Sequence, residues 1–377
     1  MQEGDQADFQ SWINIFPSIC NDDYVENWYP LVKDITFPTD FIRLSFQEVK
    51  ILYTKVRMNL ITRGYLSKTH QNSFLDENEE DEMIFQNLKN RIQKKLNEIG
   101  YSEFFARLGS RSYKDASSRS VLSRQRFINL LQNEYKNYIL KNLDDEIDFQ
   151  TEGESVIDDI STIQDFAIIS HCEIQSLKCQ NVEDLFDLLI NSNRICKDLS
   201  EDLPKMNQDS ELTLCVRKWD NLNDDRLEFR VFIYHDHITA ISQYDYRCFY
   251  DIVYSYHNEI KKAIVDFVSQ EIIPKIKSSN LFRDKGAYVV DVGCIVNEEK
   301  ETVEKVQVIE FNRFHDTTGA ALFEWRYDID LLIGKTSNED IAFRIVCPSD
   351  ITEKMSNIHI PEEMLELKNE ALRNLFE

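Results

Sequence analysis

Three residues late in the chain could hold a hard cation: Asp291, Glu310 and Asn312. Side chains two apart on a strand point to the same face, so Glu310 and Asn312 project together while Ile309 and Phe311 pack behind them. Asp291 falls on a neighbouring strand of the same expected hairpin. Two carboxylates and an amide oxygen suit Mg²⁺, which takes a few protein oxygens and completes its shell with phosphate and water. Mn²⁺ would accept the same oxygens. An exposed acidic strand face would show the same residues without any ligand.

Three basic segments could complement such a cation. Arg217-Lys218-Trp219 ends an alternating strand, and a basic pair beside a Trp can hold phosphates and pack an adenine. Glu228 and Arg230 share one strand face, as an ion pair or as a ribose and phosphate contact. Arg107 to Lys114 carries basic and hydroxyl groups, including Ser112, that could cover a triphosphate. Each segment also reads as ordinary surface: a strand end, a same-face pair, a basic loop.

The elements that must position these residues follow from periodicity. Glu211–Trp219, Glu228–Tyr234 and Ile238–Ser242 read as strands, and Ala287–Val292 with Val303–Phe311 as a hairpin. Ile84–Ile99, Phe127–Leu143, Val182–Asn191 and Tyr250–Ile276 have helical spacing, the last amphipathic throughout. Gly100 is a stop for the first. Asp76–Glu82 and Asp144–Asp159 read as acidic loops. Antiparallel strands interrupted by a helix make the fold α+β rather than doubly wound. The expected division is a weakly ordered leader at 1–27, an N-terminal lobe at 28–216 with a peripheral block at 117–160, a C-terminal lobe at 217–350, and a helical tail at 351–377.

Composition narrows the function classes. The 377 residues are 42% hydrophobic and 11% aromatic, enough for a real core, and carry a formal net charge of −24. Such acidity disfavours nucleic acid and anionic membranes and suits a basic protein partner. Eight scattered cysteines, none in a Cys-x-x-Cys pair, fit reduced thiols. His235 and His237 mark a tight hairpin, not a metal site. The start Met-Gln-Glu-Gly-Asp-Gln is acidic, and no apolar run approaches the roughly 20 residues of a membrane helix. A cytoplasmic location is expected. With nine glycines there is no P-loop, no Rossmann fingerprint and no serine-hydrolase elbow.

Order and spacing tie the segments together. Val216-Arg217-Lys218-Trp219, Glu228-Phe229-Arg230-Val231-Phe232, Ile241 to Tyr246 with Tyr250-Asp251, Val290-Asp291-Val292, Ile309 to Phe314 and Leu322-Phe323-Glu324-Trp325 resemble blocks of the cell-division-cycle protein 123 family. Trp28-Tyr29-Pro30 with Thr36, and Phe105 to Ala116, are similar to its earlier blocks. The resemblance implies an ATP-grasp fold, two lobes with a nucleotide cleft between them. It implies that Arg217, Lys218 and Trp219 form the hinge at the adenine. Arg230 would reach the phosphates, Arg107 and Ser112 would cover them, and Asp291, Glu310 and Asn312 would hold Mg²⁺ with ATP. It further implies an assembly chaperone for eukaryotic translation initiation factor 2 acting through its gamma subunit, with Trp28, Tyr29 and residues 322–330 as contact candidates. The alternative is an ATP-dependent ligase or phosphoryl transferase, and no separate nucleophile or base stands out to decide it. The sequence departs from the family pattern at Arg107, where Lys is usual, at Glu310, where Asp is commoner, at Tyr113, where Pro is usual, and in the 117–160 block.

Overall fold

The structure is a computed structural model that describes residues 15–18, 21–66, 79–109, 111–142, 162–220, 225–335, 340–348 and 362–376. The chain forms two compact units interleaved in sequence, not the sequential lobes expected. One comprises residues 39–219 and 359–377, the other 1–38 and 220–358. Each has its own sheet and helices, which makes the fold α+β.

The first unit is built on four antiparallel strands: β1 (Thr39–Ser45), β2 (Phe104–Leu108), β3 (Arg111–Ser112) and β4 (Glu211–Lys218), in the order β1-β4-β2-β3. Alternation sends Ile42, Leu44, Ala106, Leu108, Leu214 and Val216 to one face, where they join the core with Val49, Leu52, Leu88, Ile92, Leu185 and Leu189 from helices Phe46–Thr62, Glu79–Ile99 and Val182–Ile190. Ser45 and Glu48 form a reciprocal capping box, and Asn181 caps the Val182–Ile190 helix through the Asp184 N–H. Glu79–Glu82, expected in a loop, instead form the first turn of Glu79–Ile99, where four carboxylates face the positive end of the helix dipole. Gly100 closes that helix at φ 73°.

The block at 117–160 is not peripheral in its first half. Helix Val121–Asn142 buries Phe127, Leu131, Tyr135 and Ile139 completely. It packs against helices Thr162–Gln175 and Glu362–Phe376. The Tyr135 hydroxyl donates to Asp165 at 2.5 Å, and Lys368 Nζ reaches the other Asp165 oxygen at 2.6 Å. Burial and the neighbouring Asp165 charge push the Tyr135 phenol far above its ordinary range. The acidic stretch 144–159 lies outside the described residues.

The second unit holds five strands: β5 (Glu228–Tyr234), β6 (His237–Gln243), β7 (Tyr288–Asn297), β8 (Thr302–Arg313) and β9 (Ala342–Arg344), in the order β8-β7-β5-β6-β9. All pairs are antiparallel except β6 with β9. His235 and Asp236 form the two-residue β5–β6 turn at φ 51° and 58°, the mirror-image geometry that matches strand twist. The expected long helix is divided into Asp251–Ser255, His257–Phe267 and Ile273–Lys277, with a π-helical turn at Val268–Ile272. The Ile273 N–H bonds to Val268 O, five residues back, immediately before Pro274, which has no N–H to continue the ladder.

Part of the expected leader belongs to this unit. Phe16 packs edge-on against Trp325 at 5.7 Å, and the Tyr234 hydroxyl donates to Ile15 O. Trp28 and Pro30 lie in a helix, Val25–Val32. No helix among the described residues is long and apolar enough to cross a membrane. The seven described cysteines form no disulfide, and Cys20 lies outside the described residues.

Because Leu131 is fully buried in the helix expected to be dispensable, Leu131→Ala should cost about 2–5 kcal/mol. Urea unfolding followed by circular dichroism measures it, and a loss under about 0.5 kcal/mol, the range of ordinary surface substitutions, would return the block to the periphery.

Candidate functional site

The second unit gathers its charged residues on one sheet face. Arg230 on β5 lies opposite Asp291 on β7, and Asp291 lies opposite Glu310 on β8. One register step later the pairing shifts, with Ile309 as the extra residue of a β-bulge, since Val292 pairs with Val308. Glu228 and Asn312 sit two residues along their strands and share the face. Further along, the same face becomes apolar: Phe232, Ala240, Val289, Phe314, Phe323 and Trp325 are its buried core.

The back of β8 is clamped by aromatic rings. Phe311 stands 5.3 Å from Trp28, 5.8 Å from Phe282 and 5.8 Å from Tyr288. Thr36 donates to Val308 O at 2.8 Å, and the Val308 N–H donates to Ile35 O, so the segment after the Trp28 helix is laced to the bulge. These contacts fix Glu310 and Asn312 on the opposite face. Trp28 is fully buried and so offers no partner contact, contrary to expectation.

Arg230 organises the polar face. Its Nε donates to Asp291 Oδ1 and a terminal nitrogen donates to Oδ2, both at 2.8 Å, a bidentate fork. Its other terminal nitrogen donates to Gly319 O in the loop after β8, and the Tyr244 ring lies 4.9 Å from the guanidinium carbon. Burial works against the guanidinium charge, but the Asp291 carboxylate outweighs it and raises the Arg230 pKa further. Asp291 is completely buried. Asn312 Nδ2 donates to Asp291 Oδ2 at 2.9 Å and lies 3.4 Å from Glu310 Oε1.

The donor types suit a hard cation. Asp291 and Glu310 occupy one cross-strand pair with an amide beside them, and Arg230 neutralises only the first of the two carboxylates. The described residues contain no group of three His, Cys, Asp or Glu suited to a metal. A divalent ion here would therefore rest on the two carboxylates and Asn312, with the amide turned to present its oxygen, and on oxygens brought by a ligand.

The first unit places its expected site residues on β2, β3 and β4. Arg107 lies opposite Ser112 and opposite Cys215, two residues before Arg217. Arg107, Ser112 and Arg217 thus share the sheet face away from the helices, all of them buried, and Arg217 Nε donates to Thr39 Oγ1 at 3.3 Å. Lys218 does not join them: as the next residue on β4 it points to the other face and is exposed. Trp219 follows the strand, bonded through its N–H to Glu103 O, with Lys178 Nζ 5.3 Å from its ring.

Sequence reasoning missed Gly319, the Tyr244 contact and the role of Tyr113. The Tyr113 hydroxyl accepts the Ala106 N–H at 2.8 Å and lies 3.2 Å from Cys179 Sγ, all fully buried. Tyr113 therefore satisfies a β2 donor beyond the reach of the two-residue strand β3. Burial pushes the Tyr113 phenol well up and the Cys179 thiol up to about 12. A glycine in Thr317-Thr318-Gly319 after a charged strand was the available signal for the loop contact.

Comparison with known proteins settles the lineage. The family described as D123 matches residues 159–368. The chain belongs to the D123 family. That span contains Arg217 through Asn312 but not Arg107 or Ser112. The translation initiation factor eIF2 assembly protein of Candida albicans is 28% identical over 197 residues, 50% of this chain and 53% of that one. Cell division cycle protein 123 of Candida glabrata is 28% identical over 210 residues, 52% of this chain and 55% of its own. The chain thus matches about half the length of these relatives. The solved structure of Cdc123 from Schizosaccharomyces pombe superposes with a TM-score of 0.50 at 16% identity, covering 86% of this chain and 96% of that one. At that identity the likeness is one of fold.

Removing one partner of a buried pair strands the other charge, so Asp291→Ala should destabilise the protein by about 3–5 kcal/mol. The double change Arg230→Met with Asp291→Leu should recover most of that loss. A urea double-mutant cycle showing additive effects would mean the two groups are not coupled.

Proposed function

We propose that this D123-family chain binds Mg-ATP in the ATP-grasp manner and serves as an assembly chaperone for eukaryotic translation initiation factor 2, acting on its gamma subunit. The observation that carries the nucleotide half is the Asp291–Glu310 cross-strand pair with Arg230 and Asn312 around it. Arg230 neutralises only Asp291 of the opposed pair, and two carboxylates beside an amide are the hard oxygen donors that Mg²⁺ takes. Asp291, Glu310 and Asn312 are the proposed Mg²⁺ ligands and Arg230 the phosphate contact. When bound, Mg²⁺ would screen the charge of the ATP phosphates. From the first unit, the family resemblance assigns Arg217, Lys218 and Trp219 to the adenine and Arg107 and Ser112 to the phosphates. Of these, Lys218 is the weakest assignment, because it faces away from Arg107 and Arg217.

The partner half rests on relatives named as eIF2 assembly proteins. The net charge of −24 suits a basic client segment, whose attraction should fade as salt screens it over about 8–10 Å.

Glu310 is only partly buried, so Glu310→Gln leaves the fold intact while halving the carboxylate pair. Calorimetry should show magnesium-dependent ATP binding in the wild type and an affinity at least tenfold weaker in the variant. Equal affinities would remove these residues from the site. A pull-down with recombinant gamma subunit should capture the chain at low salt and less at high salt. No capture with or without Mg-ATP would remove the chaperone reading and favour a ligase or phosphoryl transferase.

A further inference from the structure

Both oxygens of Asp291 are already engaged. Arg230 takes Oδ1 and Oδ2 at 2.8 Å each, and Asn312 adds a second donor on Oδ2 at 2.9 Å. Charge-assisted bonds to a fully buried carboxylate are among the strongest polar contacts a protein makes. A cation approaching Asp291 therefore competes with these donors, and it meets the fixed positive charge of the guanidinium as it does so. A bare divalent ion offers Arg230 nothing in return, since Arg cannot shed its proton. A polyphosphate does: its oxygens accept the same planar fork of N–H donors that now holds Asp291. The Gly319 carbonyl and the Tyr244 ring hold the guanidinium from its other sides.

We propose that Arg230 sets the ligand specificity of this face: it withholds Asp291 from bare divalent cations and yields it when a polyphosphate takes over the guanidinium. The site then admits its metal as a complex with a polyanion, and the Gly319 carbonyl is released in the same event. This inference rests on the Mg-ATP reading and adds the order in which its parts engage. It makes Arg230 a competitor of the metal as well as a phosphate contact.

The test is nuclear magnetic resonance of the Arg230 Nε–H in the full chain labelled with ¹⁵N-arginine, assigned by its disappearance in Arg230→Lys. The resonance should stay in place with excess Mg²⁺ alone and with AMP plus Mg²⁺. It should move with Mg-ATP and with magnesium tripolyphosphate. Displacement by Mg²⁺ alone overturns the proposal. So does an unmoved resonance under Mg-ATP that calorimetry shows to be bound. If calorimetry shows no ATP binding at all, it is the nucleotide reading that falls, while the arms with bare Mg²⁺ and with tripolyphosphate still decide whether Arg230 excludes the cation and yields to a polyanion. Should Arg230→Lys not fold, the double change Arg230→Met with Asp291→Leu, which removes the same resonance together with its buried partner, gives the assignment.

Discussion

The buried fork between Arg230 and Asp291 is the interaction on which the second unit depends. Two opposite charges removed from water gain less from one another than apolar residues of equal volume would gain from packing. Their presence at the centre of a sheet constrains everything nearby. Asp291 must be backed by a rigid strand, and β7 is an interior strand buried along most of its length. Arg230 needs its remaining donors satisfied, which recruits the Gly319 loop. Glu310, left opposite Asp291, is steadied by the Asn312 amide.

Aromatic packing supplies the stiffness that this polar arrangement needs. Phe311 lies between Glu310 and Asn312 in sequence and faces the other way, into Trp28, Phe282 and Tyr288. A helix far earlier in the chain thereby holds the two candidate ligands in place. The first unit solves a similar problem differently. There the Tyr113 hydroxyl pairs with the Ala106 N–H where the short strand β3 has run out, and Arg107 and Ser112 keep a common face.

Much of this was legible in the sequence because strand alternation is strict. The shared face of Glu310 and Asn312, the β7–β8 hairpin and the His235–Asp236 turn follow from period two and turn chemistry. What periodicity cannot show is pairing across distance. Nothing local tells that Arg230 takes both oxygens of Asp291, or that Gly319 closes over the guanidinium. Helix Val121–Asn142 reads as polar because its buried residues are diluted by charged ones and its partner helices lie far along the chain. The basic pair Arg217-Lys218 was read as a unit, although alternation already places the two on opposite faces.

The interleaving of the two units bears on how the protein is made. A chain that completes one unit before starting the next can fold as it emerges, each unit released from the problem of the other. Here neither can. Helix Val25–Val32 must wait for β8, which is translated almost three hundred residues later, before Trp28 finds Phe311. Asp165 stays without Lys368 until helix Glu362–Phe376 appears. At translation rates of about 5–20 residues per second, those intervals last roughly ten seconds to a minute. During that time the nascent chain keeps apolar faces of both units exposed, the condition under which slowly completed chains are prone to aggregate.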